Sequence, residues 1–153
     1  MKKLIISISC ILWVGFIFLN SSQDGEISHE RSTKFVSEYS SKIATKLLKY
    51  TNLDASQMDI ITRKCAHGFE FMILVVILII CFNVLRVNKI NTIIYSLFIV
   101  LLIATFDETI QLFIPDRTSK VTDILIDFSG GIAGCIIASI FYGVVRITKK
   151  IFH

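Results

Sequence analysis

Four apolar runs, each about as long as a helix needs to cross a hydrocarbon layer, divide this chain into spans at about residues 4–20, 66–85, 90–114 and 121–147. A hydrocarbon core is roughly 30 Å thick and a helix rises about 1.5 Å per residue, so about 20 helical residues cross it. In lipid each backbone N–H and C=O must be satisfied within the protein, and a single run meets that demand by becoming a helix. The expected fold is therefore all-α: a polytopic membrane protein with four transmembrane helices, read as a single membrane domain over 1–153. Composition points the same way. With 54% hydrophobic residues and one proline, and a mean hydropathy of +0.70, the chain is too apolar for a domain that shows an ordinary polar surface to water.

Direction follows from the basic residues. Lys2 and Lys3, then Arg86 and Lys89, then Arg146, Lys149 and Lys150 all fall on one side of the expected spans. The excess of Lys and Arg in cytoplasmic loops makes that side cytoplasmic, with both termini inside. The first run has the basic start and apolar body of a secretory signal, but Asn20-Ser21-Ser22-Gln23 offers no small-x-small cleavage site, so the expectation is an uncleaved signal anchor. The loop 21–65 then lies outside. Within it Phe35, Val36, Tyr39, Ile43, Leu47 and Tyr50 recur at helical spacing, which predicts an extracytoplasmic amphipathic helix between spans 1 and 2. Asp54 or Ser56 is placed to cap the helix that continues into the second span. Cys10, Cys65, Cys81 and Cys135 form no CxxC pair and read as small buried hydrophobes. The net charge of +4 comes without a basic tract interleaved with aromatics, so no nucleic-acid partner is expected.

The polar residues inside this apolar frame do not scatter. Ser21, Ser22 and Gln23 leave span 1, and Arg63, Lys64, His67 and Glu70 enter span 2. Asp107, Glu108 and Gln111 close span 3, while Arg117, Asp123 and Asp127 lead into span 4. All fall at the outer ends. An ionisable side chain at membrane depth costs on the order of 2.5 to 3.5 kcal/mol on insertion scales, so several of them together must face one another or water. A helix turns about 100° per residue, which puts Arg63, His67 and Glu70 on one face of span 2 and stacks Asp123 over Asp127 on span 4. Gly130, Gly134 and Ala138 continue that face of span 4 as a small-residue seam for a neighbouring helix. The expectation is a charged cavity open to the outer leaflet.

At these residues the sequence resembles the VanZ-like family of membrane proteins. The resemblance rests on Ser21-Ser22-Gln23 after span 1, and on Arg63, Lys64, His67, Glu70 and Phe71 opening span 2. It continues in Asp107, Glu108, Gln111, Pro115 and Arg117 around the end of span 3, and in Asp123, Asp127, Gly130 and Gly134 in span 4. Asp127 stands where asparagine is common in the family, and Phe71 where tyrosine is common. The resemblance implies a multi-pass protein of the bacterial cytoplasmic membrane, in a family named for a glycopeptide-resistance protein that lowers the action of teicoplanin. It supplies no reaction.

Chemistry has to be read from the residues. His67, Glu70, Asp107, Glu108 and Asp127 are the candidate catalytic groups, with His67 as general acid or base. Ser22, Gln23, Arg63, Lys64, Gln111, Arg117 and Asp123 are the candidate ligand-binding groups, the cations suited to an anion. The expected partners are membrane lipid and a lipid-linked cell-wall precursor or lipoglycopeptide. No cofactor is required, but His67 and Glu70, three residues apart on one helical turn, have the spacing of a divalent-metal pair. A second reading stays open, in which the same residues form a salt-bridge and hydrogen-bond network that pins the helices of a non-enzymatic scaffold or adaptor. A transporter is disfavoured, because a polar path would have to continue through the inner leaflet, where spans 2 to 4 offer only Asn83, Ser96, Thr105 and Ser139.

Overall fold

The computed structural model describes residues 2–23, 34, 55–115, 117 and 119–151, and for residues 2, 55, 56, 58, 59 and 143–151 the backbone alone. Among the described residues the chain is all-α, with no strand. Helix α1 covers Lys2–Ser21, α2 Ala55–Val84, α3 Lys89–Gln111 and α4 Val121–Ile151. All four are long and apolar enough to cross a membrane. The chain is thus a multi-pass membrane protein. The amphipathic helix expected from Phe35, Val36, Tyr39, Ile43, Leu47 and Tyr50, and the cap expected at Asp54, lie outside the described residues.

Helix ends differ from the apolar runs where polar residues find partners. α2 begins at Ala55, eleven positions before residue 66, so Ser56 lies inside the helix and Arg63, Lys64 and His67 are helical. Hydropathy marks where lipid begins; backbone hydrogen bonding marks where the helix begins. α3 stops at Gln111 instead of running to Ile114, and residues 112–115 turn. Pro115 disfavours helical backbone at the residue before it, which ends the run early. α4 continues to Ile151, past its apolar portion, which ends at Tyr142.

The α2–α3 connection is tight. The Arg86 amide donates to the Asn83 carbonyl at 3.1 Å and the Val87 amide to the Phe82 carbonyl at 3.0 Å, which is the Schellman pattern that closes a helix C-terminus. Arg86 takes the left-handed position, φ 61°, where glycine is usual. Asn88 then caps α3, its side chain accepting from the Asn91 amide at 2.8 Å, as an N-cap does.

The bundle is built outside-in relative to a soluble protein. Leu12, Phe98, Phe106, Ile140 and Phe141 are among the exposed side chains, while Ser21, Ser96, Asp107, Glu108, Gln111 and Asp127 are buried. Lipid solvates the first set and the bundle interior must satisfy the second. The apolar core is small: Ile17, Phe71, Leu74, Val75, Leu78, Val100, Ala104 and Cys135. Cys65, by contrast, is exposed.

Helices α2 and α4 approach most closely. A Cβ on Gly130 would meet the Gly68 backbone, with its carbonyl carbon at 2.7 Å, and one on Gly134 would come within 2.6 Å of the Met72 carbonyl oxygen. Gly131 faces the third helix, where a Cβ would lie 2.8 Å from Val100 Cγ1. The small-residue seam of α4 therefore packs on α2, as small-xxx-small faces do when backbones come together. Successive helices run antiparallel. Ser21, Glu70, Asp107 and Asp123 meet their partners at one end, whereas Lys89 lies over the Tyr142 ring at 4.9 Å at the other.

Candidate functional site

The polar end of the bundle contains two tiers. Nearer the lipid-spanning core is a closed network around Asp107 and Glu70. The Ser21 hydroxyl donates to Asp107 Oδ2 at 2.5 Å, and the Gln111 amide donates to the same oxygen at 3.1 Å and to Ser21 Oγ at 3.0 Å. Asp107 is 0% exposed, and its other oxygen, Oδ1, has no hydrogen-bond partner among the described residues. On the neighbouring face, Asn20 donates to Glu70 Oε1 at 2.6 Å and Trp13 Nε1 donates to the Glu70 carbonyl oxygen at 3.0 Å. These bonds tie α1 to α2 and α3. Buried polar groups left without such partners cost about 1–3 kcal/mol each.

The second tier surrounds an open cavity of about 190 Å³. Arg63, Lys64 and His67 line it from α2, Glu108 and Gln111 from α3, Asp123 and Asp127 from α4, and Arg117 and Lys120 from the connection between α3 and α4. Ile60 and Ile126 supply its apolar wall. Lys64 and Asp123 form an ion pair that bridges α2 and α4. Glu108 accepts from the Lys120 amide, at the start of α4, where a negative charge also suits the helix dipole. Asp123, in the first turn of α4, gains from the same effect.

Among the described residues, Arg117 is a cation outside the spans whose proton affinity is shifted. Burial, and then the like charge of Arg63, hold its guanidinium below its ordinary value, with Asp107 and Glu108 pulling the other way. It stays charged at neutral pH. Its Nε donates to the Gln23 carbonyl oxygen at 3.3 Å, so the exit of α1 is fastened to the α3–α4 connection. Two guanidinium groups facing one small cavity are a geometry that attracts an anion.

The model of the VanZ/LLP1 family matches residues 6–142. The chain belongs to the VanZ/LLP1 family. No curated protein and no solved structure matches it. The matched stretch runs from within α1 almost to the end of the apolar part of α4, so the VanZ/LLP1 region includes both polar tiers.

Placed on the structure, the residues picked from this VanZ/LLP1 sequence separate by tier. His67, Glu108, Asp127, Arg63, Lys64, Gln111, Arg117 and Asp123 share the cavity. Glu70 and Asp107 do not line it; they sit in the closed network. Ser22 is exposed and donates to the Phe18 carbonyl at 2.7 Å, so the inward-facing hydroxyl of the Ser-Ser pair is Ser21. Gln23 takes part through its backbone carbonyl. Sequence reasoning missed Trp13 and Asn20 as partners of Glu70. An asparagine in the last turn of an apolar helix was the available signal for Asn20; Trp13 gave none that separates it from a lipid-facing aromatic.

His67 and Glu70 lie about 60° apart around α2, enough for them to diverge, Glu70 toward α1 and His67 toward the cavity. Among the described residues, the potential metal donors that lie together are His67, Asp107 and Asp127, one atom from each within 4.8 Å of the others. Glu70 stands outside this group.

Proposed function

We propose that this VanZ/LLP1 protein binds the anionic headgroup of a lipid-linked cell-envelope molecule in its polar cavity, at the outer face of a bacterial cytoplasmic membrane. The carrying observation is that Arg63 and Arg117 line one cavity, which also takes in Lys120 and the Lys64–Asp123 pair. Like charges are brought together at the edge of a membrane only at a cost, which an anion between them offsets. Size narrows the class. Pockets for drug-sized ligands occupy roughly 300–1,000 Å³, so a cavity of about 190 Å³ suits a phosphate or sugar-phosphate headgroup and is too small for a whole lipoglycopeptide. Ile60 and Ile126 give the apolar wall along which a lipid tail leaves the headgroup for the bilayer.

Orientation supports the outer face. Arg86 and Lys89 lie at the end away from the cavity, as do the first residues of α1 and the C-terminal part of α4, and the positive-inside rule makes that end cytoplasmic. Both termini are then cytoplasmic. A cell that sequesters or shields such a lipid at its outer surface has an altered target for glycopeptides, which is the route by which the protein would lower teicoplanin action. In this reading Glu70 ties α1 to α2, and His67 lines the cavity beside the ligand.

The test is direct binding of a polyprenyl phosphate to the purified chain in nanodiscs, read by native mass spectrometry. Arg117→Ala weakens binding by at least about tenfold, or 1.4 kcal/mol, and Arg117→Lys by less, since lysine keeps the charge but loses the two-pronged geometry. Equal binding by wild type and Arg117→Ala overturns the proposal.

A further inference from the structure

Asp107 presents an unusual combination: it is wholly buried, one carboxylate oxygen is fully engaged, and the other is left bare. Oδ2 takes both the Ser21 hydroxyl and the Gln111 amide, while Oδ1 has no hydrogen-bond partner among the described residues. His67 Nδ1 is likewise buried without such a partner. Both residues belong to the group in which one donor atom each from His67, Asp107 and Asp127 lies within 4.8 Å of the other two. Asp127 is 3% exposed.

Carboxyl groups crowd this group, with the Arg117 guanidinium acting on Asp107 from the cavity side. Asp107, Glu108, Asp123 and Glu70 all bear electrostatically on Asp127, which gathers five carboxyl groups around it. The Lys64 ammonium is already paired with Asp123. Desolvated carboxylates are tolerated when protons or a cation neutralise them. The donor set points to a cation, because an imidazole nitrogen with two carboxylate oxygens is a common set for a divalent transition metal and a poor one for magnesium or calcium.

We infer that His67, Asp107 and Asp127, contributed by α2, α3 and α4, form a binding site for one divalent transition-metal ion of the Zn²⁺ or Mn²⁺ class. Tetrahedral donors about 2.1 Å from zinc lie about 3.4 Å from one another, so donor atoms within 4.8 Å close on an ion with side-chain adjustments on the order of 1 Å. The Ser21 and Gln111 bonds supply what a metal-ligating carboxylate usually has, an outer partner that fixes the non-ligating oxygen. His67 and Asp127 line the cavity and Asp107 does not, so the ion's open coordination position faces the cavity. The site stands on its own geometry and does not depend on the anion-binding reading.

The experiment is a titration of the purified full-length chain, stripped with EDTA and held in detergent, with Zn²⁺ and Mn²⁺ by calorimetry and with Co²⁺ by visible absorption. One ion per chain is expected, with the ligand-field bands of a low-coordinate Co²⁺ site. Asp127→Asn, Asp107→Asn and His67→Gln each weaken binding by at least about tenfold. Glu70→Gln binds within about threefold of wild type, and Arg117→Ala, which removes a nearby positive charge, does not lower affinity. The second result separates this site from the anion site, since Arg117→Ala is expected to lose the anion and keep the metal. Absence of stoichiometric binding by the wild type overturns the inference, as does wild-type affinity in Asp127→Asn or His67→Gln. Should a ligand variant fail to fold, the wild-type stoichiometry and Co²⁺ spectrum still decide.

Discussion

Ser21 and Ser22 differ by one position and by every physical consequence of it. A step of about 100° around α1 takes one hydroxyl into the bundle and the other out, where Ser22 bonds its own helix at the Phe18 carbonyl. Ser21→Ala therefore removes a donor from a buried carboxylate and is expected to cost about 1–2 kcal/mol of stability. Ser22→Ala stays within about 0.5 kcal/mol of wild type. Thermal unfolding in detergent distinguishes them, and equal effects would contradict the assignment. The sequence made the depth of this pair legible, because depth follows from position along an apolar run. It did not reveal which hydroxyl faces inward, since that depends on how α1 rotates against α2 and α3. Asn20 and Trp13 were hidden for the same reason. Arg86 is a second residue-scale case. A left-handed non-glycine residue carries about 1–2 kcal/mol of strain, so Arg86→Gly is expected to raise stability by about 1 kcal/mol in the same assay, and a fall in stability would contradict the reading of this turn.

Among the elements, the α2–α4 pair sets the width of the cavity. Lys64 and Asp123 bridge the two helices at its mouth, and the Gly68–Gly130 crossing beneath brings the backbones together. Gly130→Ala forces them apart and is expected to cost about 1–3 kcal/mol, the range for overpacking a tight contact. Gly15→Ala, at a glycine with nothing within 4 Å of the added carbon, is expected to be silent or slightly stabilising, because alanine is the better helix former. Similar losses from both would show that helix contact is not what Gly130 provides. This seam was legible in the sequence, since the spacing of Gly130 and Gly134 holds on any straight helix. The helix limits were less so. The polar stretch that opens α2 is helical before the apolar run begins, and Lys64 within it pairs with Asp123 of α4, which no apolar run records.

Across the whole molecule, lipid decides what a soluble fold would leave to water. Hydrocarbon does not solvate charge, so acids and bases from separate helices collect at one end. The convergence was readable because each polar residue could be placed by depth along its span. Its division into a closed tier at Glu70 and Asp107 and an open tier at the cavity was not, because the division depends on packing between helices. The proposed function follows the open tier, where Arg63 and Arg117 line one cavity. A crystal structure grown from a lipid mesophase containing polyprenyl phosphate tests this most directly. The account predicts a phosphorus atom within about 4 Å of both guanidinium groups. Phosphate bound elsewhere, or the two arginines turned away from a shared space, would contradict it.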